Sequence, residues 1–261
     1  RAVVWNAVPL RSCIRHHPHM VPVLGPRDPF PPLERALRRP NGLLAMGRNL
    51  SVATLIEAYA QGIFPWFSEG DPILWWSPDP RMVLFPHELH VAKSLGRRLK
   101  RGDFNVTADA AFGEVIRACA APRNGEPGTW INRRMITAYE RLHAAGVAHS
   151  IETWLDGELA GGLYGVAIGR AFFGESMFAR RTDGSKIALV QLVRQLERWA
   201  FGLIDCQMKT EHLATFGARE IPRREFVERI RGLVDQPPVP VPWLLEPAVR
   251  PGERTGGITP R

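Results

Sequence analysis

Cysteine is scarce in this 261-residue chain, with only Cys13, Cys119 and Cys206, far apart and odd in number. No C-x-x-C pair occurs, so the pattern points to neither a disulfide framework nor a structural zinc site, and a reducing cytoplasm is the expected compartment. Eight histidines are present, but none falls in an H-E-x-x-H or paired Cys/His spacing, so no metal is expected. Long hydrophobic runs are also missing. The longest weakly polar stretch, Leu159 to Gly169, is too short and glycine-rich to span a bilayer, which excludes a membrane-spanning reading. A hydrophobic content of 45% excludes a disordered chain, and the length suffices for one large domain or two modest ones.

Charge is abundant and unevenly placed. The formal balance is +8, from 34 Lys and Arg against 26 Asp and Glu. Residues 51–80 hold four acids and no base, whereas residues 81–101 hold six bases and one acid. An anionic partner is the simplest reading of such a patch, although the total alone favours nucleic acid only weakly. Residues 1–29 contribute four Arg and one Asp, without periodicity or a secretory pattern, and read as a flexible extension. The Pro/Gly-rich end, with a flexible tail over 246–261, reads as surface-hugging or frayed.

Between these ends the chain is strongly patterned. Ser51 caps an expected helix to about Gln61, and Gly62 stops it. Residues 62–80 combine four prolines with three tryptophans and read as a rigid, irregular aromatic connector, closing a small N-terminal domain over 30–79. His90 to Arg101 reads as a two-faced helix with Lys93, Arg97, Lys100 and Arg101 on one side and Leu95 and Leu99 on the other. Phe104–Thr107 is an expected strand, and Ala110–Cys119 and Asn132–Ala145 are expected helices. Three strands follow over His149–Trp154, Leu159–Ile168 and Ala171–Phe178, set off by Asp156-Gly157 and Gly169-Arg170 turns. A helix over Ser185–Ala200, a strand over Leu203–Met208 and a helix over Phe226–Leu233 complete the pattern. This order implies an α+β fold with a mixed sheet over 80–245, similar to the N-acetyltransferase (GNAT-like) type.

Several residues stand out chemically. Asp205-Cys-Gln207 lies on an otherwise apolar strand, where period two puts Asp205 and Gln207 on one face. They either cap neighbouring loops or face a site. Glu175 interrupts the apolar strand Phe172–Phe178, which calls for either a buried structural ion pair or a functional carboxylate. Ala179 to Lys186 leads into a helix and could hold an anion, but it fails the Walker A spacing; ordinary capping is the simpler reading. No acid lies between Val91 and Gly102 to offset the basic helix face, so a phosphate backbone competes with a solvated surface. Trp66, Trp75, Trp76 and Trp130 either stack bases or fill the core.

An ordered series of strings carries a resemblance. It comprises Pro40-Asn-Gly-Leu-Leu-Ala45, Gly62-Ile-Phe-Pro-Trp-Phe67, Asp71-Pro-Ile-Leu-Trp-Trp-Ser-Pro-Asp-Pro-Arg81, Gly128-Thr-Trp-Ile131, His149-Ser-Ile-Glu152, Gly174-Glu-Ser-Met-Phe178, Leu203-Ile-Asp-Cys-Gln207 and Glu220-Ile-Pro-Arg-Arg224. From about Phe30 to Trp243 the chain resembles the leucyl/phenylalanyl-tRNA–protein transferases. The resemblance implies transfer of Leu, Phe or sometimes Met from aminoacyl-tRNA to an N-terminal Arg or Lys of an acceptor protein, which marks it for N-end-rule degradation. It also implies a monomer that uses no metal, no acetyl-CoA and no other cofactor. By resemblance Asp205 and Gln207 position and polarise the attacking amine, as general base or electrostatically, and Glu175 supports the acceptor site. Leu163, Met177, Leu192 and Ile204 line the aminoacyl pocket in the same way. Trp66 and Trp130, with Tyr139 nearby, meet the terminal adenosine, and Lys93, Arg97, Lys100 and Arg101 grip the acceptor stem.

Overall fold

The computed structural model describes residues 21–122 and 130–246. Cys13, most of the expected extension, the Gly128-Thr129 half of one string and the tail beyond Glu246 lie outside the described residues.

The first elements form a four-stranded sheet in the order β1-β2-β4-β3. β1 (Val23–Leu24) runs parallel to β2 (Leu43–Gly47). Helix α1 (Val52–Ala60) starts where the Ser51 hydroxyl accepts the Thr54 N–H, and Gly62, at φ +75°, turns the chain out of it. β3 (Phe64–Pro65) and β4 (Leu74–Trp76) then pair antiparallel. Two expectations are corrected here. Residues 21–29 are not a flexible extension: Val21 is buried, and the Met46 and Arg48 N–H groups donate to the Pro22 and Leu24 carbonyls. Nor is 62–80 irregular throughout, because its prolines leave room for the short strands β3 and β4, with Trp75 and Trp76 in the core.

The remaining elements are β5 (Arg81–Leu84), α2 (Lys93–Arg101), β6 (Asn105–Ala108), α3 (Phe112–Ala120), α4 (Arg133–Ala144), β7 (Ala148–Leu155), β8 (Glu158–Ile168), β9 (Ala171–Ala179), α5 (Gly184–Arg198), β10 (Leu203–Gln207), α6 (Glu211–Ala214), β11 (Arg219–Ile221) and α7 (Arg223–Val234). Seven strands form a mixed sheet in the order β11-β5-β10-β9-β8-β7-β6. α2 begins at Lys93 rather than His90, whose N–H donates to the Phe216 carbonyl.

Both faces of the large sheet are covered. One packs against α1, α3, α4, α7 and the small sheet in a single apolar cluster that spans both sheets. The other packs against α5 and Leu95 of α2, together with Trp243 from the C-terminal segment. Trp243 is 3% exposed, so this part of the expected surface-hugging end is core. The N-terminus of α5 rests directly on β8. A Cβ at Gly161 would stand 2.6 Å from the Ser185 nitrogen, and one at Gly184 would stand 2.5 Å from the Ala160 carbonyl oxygen.

Three irregularities position the functional residues. β9 and β10 are parallel and joined by α5, but their pairing ends at Phe173–Asp205 while β9 continues to Ala179. Along β9, Ser176 pairs with Tyr164 and Gly174 with Gly165, which leaves Glu175 as the extra residue of a β-bulge. A second register shift lies between Asp205 and Gln207 on β10, and Gln207 takes φ +62°.

Candidate active site

Asp205 is completely buried beneath the divergence of β9 and β10. A carboxylate there needs a partner, and Arg81, at the head of β5 and equally buried, provides it. Arg81 Nε donates to Asp205 Oδ1 at 2.8 Å and Nη2 donates to Oδ2 at 2.7 Å. Arg81 Nη1 also donates to the Gly62 carbonyl at 3.1 Å, and the guanidinium lies over the rings of Phe64 and Phe226. The Gln207 N–H donates to Asp205 Oδ1 at 2.8 Å. Both carboxylate oxygens are thus occupied and out of solvent.

Glu175 stands on the other side of the cleft. It accepts from the Tyr59 hydroxyl at 2.6 Å, the Tyr139 hydroxyl at 2.8 Å and Gln207 Nε2 at 3.0 Å. The two tyrosine hydroxyls also touch each other closely. Burial pushes the Glu175 carboxyl up to about 8, against the opposing pull of its hydrogen-bond donors. Burial likewise raises both tyrosines well above their ordinary value, so they remain donors. Tyr139, which the resemblance puts near the terminal adenosine, is fully buried with its hydroxyl on Glu175.

An apolar pocket opens beside these carboxyls. Leu163, Met177, Leu192 and Ile204 all line it, with Phe172 and Leu189 completing the walls and Glu175 and Asp205 at its edge. A separate narrow cleft lies between Trp66 and Trp130 and is shared by Gln207 and Met208. Gln207 lines this cleft and donates through Nε2 to Glu175, which with Asp205 lines the pocket.

On α2, Lys93, Arg97, Lys100 and Arg101 are exposed, with Leu95 turned inward. Arg101 is not unopposed: Asp103, just past the acid-free window, pairs with it at 3.5 Å and more closely with Arg98. Among the described residues, no group of three or more His, Cys, Asp or Glu could hold a metal ion. No described helix is long and apolar enough to cross a membrane.

Comparison with known proteins was decisive. The family model for leucyl/phenylalanyl-tRNA protein transferase matches residues 83–231, and that for its N-terminal domain matches residues 48–79. The leucyl/phenylalanyl-tRNA–protein transferase of Nitrosomonas europaea is 62% identical over 227 residues, covering 87% of this chain and 96% of that protein. The protein of the same name from Nitrosospira multiformis is 64% identical over 216 residues, or 83% of this chain and 93% of its own length. The chain belongs to the leucyl/phenylalanyl-tRNA–protein transferase family. Among solved structures, L-PGS from Bacillus licheniformis matches at 12% identity and a TM-score of 0.34, over 72% of this chain and 65% of that one. That likeness is too distant to carry an argument.

As a member of this family the chain is an enzyme, an aminoacyltransferase. Arg81 and Tyr59 are the residues of its site that sequence reasoning passed over. Arg81 carried a signal, a lone base opening the apolar run Met82–Phe85 that mirrors the lone acid in Leu203–Cys206. Tyr59 carried none, since a tyrosine on the apolar side of a short helix reads as core.

Proposed function

We propose that this aminoacyltransferase moves Leu, Phe or Met from aminoacyl-tRNA to the N-terminal Arg or Lys of acceptor proteins and so marks them for N-end-rule degradation. It would act as a cytoplasmic monomer, with neither metal nor acetyl-CoA. The observation that carries this reading is the hydrogen bond from Gln207 to Glu175. It links the aromatic cleft that Gln207 lines to the apolar recess that Glu175 and Asp205 line.

The chemistry is mainly a matter of placement. The aminoacyl ester is already activated: the acceptor's α-nitrogen forms the new C–N bond, the ester C–O bond breaks, and the departing ribose oxygen takes up a proton. The aminoacyl side chain enters the pocket of Leu163, Met177, Leu192 and Ile204, while Trp66 and Trp130 hold the terminal adenosine between them. Lys93, Arg97, Lys100 and, to a lesser degree, the Asp103-paired Arg101 meet acceptor-stem phosphates. Gln207 Nε2 is committed to Glu175, which leaves the Gln207 carbonyl to accept from the attacking amine. Asp205 and Arg81 hold the Gln207 backbone from below. Glu175 fixes the Gln207 side-chain amide through Nε2 and so aims its carbonyl.

The divergence of β9 and β10 around α5 supports an N-acetyltransferase-like assignment for residues 80–245, behind a small N-terminal domain that ends at 79. The direct test is transfer of labelled Phe from Phe-tRNA to a peptide beginning with Arg. The reading requires transfer to that peptide and none to its N-acetylated form; equal labelling of both, or of neither, overturns it.

A further inference from the structure

The C-terminal segment past the family match, which ends at residue 231, packs behind the pocket. Trp243 stacks flat on His149, at 3.7 Å between centroids and 4° between planes, and sets its edge toward Trp199. His149 is itself fixed, with Nδ1 2.8 Å from Asp109 Oδ2. Trp243 also meets Phe201, at 6.4 Å between ring centroids, and Phe172, a wall of the pocket, at 6.2 Å. Phe172 has no retreat toward the sheet: a Cβ at Gly165 would stand 2.5 Å from its ring, so that ring already lies against the β8 backbone. Two residues past Leu244, the Glu246 N–H donates to Gln195 Oε1 at 2.9 Å. Gln195 sits one turn along α5 from Leu192, another pocket wall. The segment therefore bears on the pocket twice, through Phe172 from the sheet and through α5 from the helix.

We infer that Trp243 is a positioning residue for donor selection: it holds Phe172 forward and so sets the depth of the apolar pocket. This inference rests on the pocket receiving the donor's aminoacyl side chain. Trp243→Ala leaves space behind Phe172, and a deeper pocket favours the larger side chain. In transfer assays with Phe-tRNA and Leu-tRNA as donors, the Phe:Leu ratio of kcat/KM should rise about ten-fold in Trp243→Ala, by analogy with pocket changes of one or two methylene groups. Trp243→Phe should fall between this variant and the parent. A purely structural role would lower both donors in parallel through the folded fraction and leave the ratio unchanged, which overturns the inference. Should Trp243→Ala fail to fold, Gln195→Met removes the acceptor shared by the Glu246 N–H and Arg198 Nη1, and it should shift the ratio in the same direction; an unchanged ratio there likewise overturns the inference. Failure of the underlying reading looks different, because the parent protein would then transfer from neither donor.

Discussion

Arg81 and Asp205, 124 residues apart, meet in a two-bond ion pair with no solvent contact on either side chain. The pair joins β5 to β10 at the point where the sheet opens. A loss of transfer in Asp205 variants is therefore ambiguous until folding is measured. Asp205→Ala leaves a buried guanidinium uncompensated and should destabilise the protein by about 3–5 kcal/mol. The double variant Arg81→Met/Asp205→Leu should recover most of that stability in urea unfolding. If recovered stability came with recovered transfer, the electrostatic role of Asp205 would be wrong.

Glu175 should tilt the pH dependence of stability. Its folded value of about 8 lies above the ordinary 4.5, so across that interval the folded state keeps a proton the unfolded chain has released. Its contribution is complete below about pH 4.5 and declines as pH rises through 8. Glu175→Gln removes the titration, and chemical unfolding at a series of pH values should show the difference between parent and variant changing across this window and flat beyond it.

The basic face of α2 can be dissected by salt. Single replacement of Lys93, Arg97 or Lys100 by Ala should each lower the slope of log affinity for tRNA against log salt by about 1. Arg101→Ala should do less, since Asp103 already faces that guanidinium. Four equal changes would argue that the Asp103 pair does not persist in solution.

The aromatic cleft makes a separate prediction. Trp66→Ala should weaken binding of an aminoacyl-adenosine fragment by about 1–3 kcal/mol while leaving the salt slope for tRNA unchanged. Isothermal titration with the fragment separates this from any effect on α2, and unaltered fragment affinity would place the adenosine elsewhere.

Much of the architecture was legible because its signals are local. Asp156-Gly157, Gly146 and Gly169 mark the ends of their elements at a few residues' range, and all four residues adopt positive φ. The strands β5 and β11 were not legible, being three or four residues long and defined by pairing with each other and with β10. Likewise the site residues Glu175, Asp205 and Gln207 stood out as polar interruptions of apolar strands, whereas strict alternation hid how they meet. A period of two does not anticipate a bulge at Glu175 or a left-handed Gln207. Arg81 and Tyr59 become intelligible only once residues 124 and 116 positions downstream are brought beside them.

The bulge in β9 separates two tasks that a regular strand would force on the same side chain. Phe173 and Phe178 belong to the same core cluster although they differ in parity, while Phe172 and Met177 both face the pocket. The spare residue between them, Glu175, has no cross-strand partner in β8. Its side chain is therefore released from sheet packing and is held instead by the hydrogen bonds of Tyr59, Tyr139 and Gln207. Deleting Glu175 would leave the pairs Gly174–Gly165 and Ser176–Tyr164 adjacent and both faces as they are, while removing the acceptor of Tyr59, Tyr139 and Gln207.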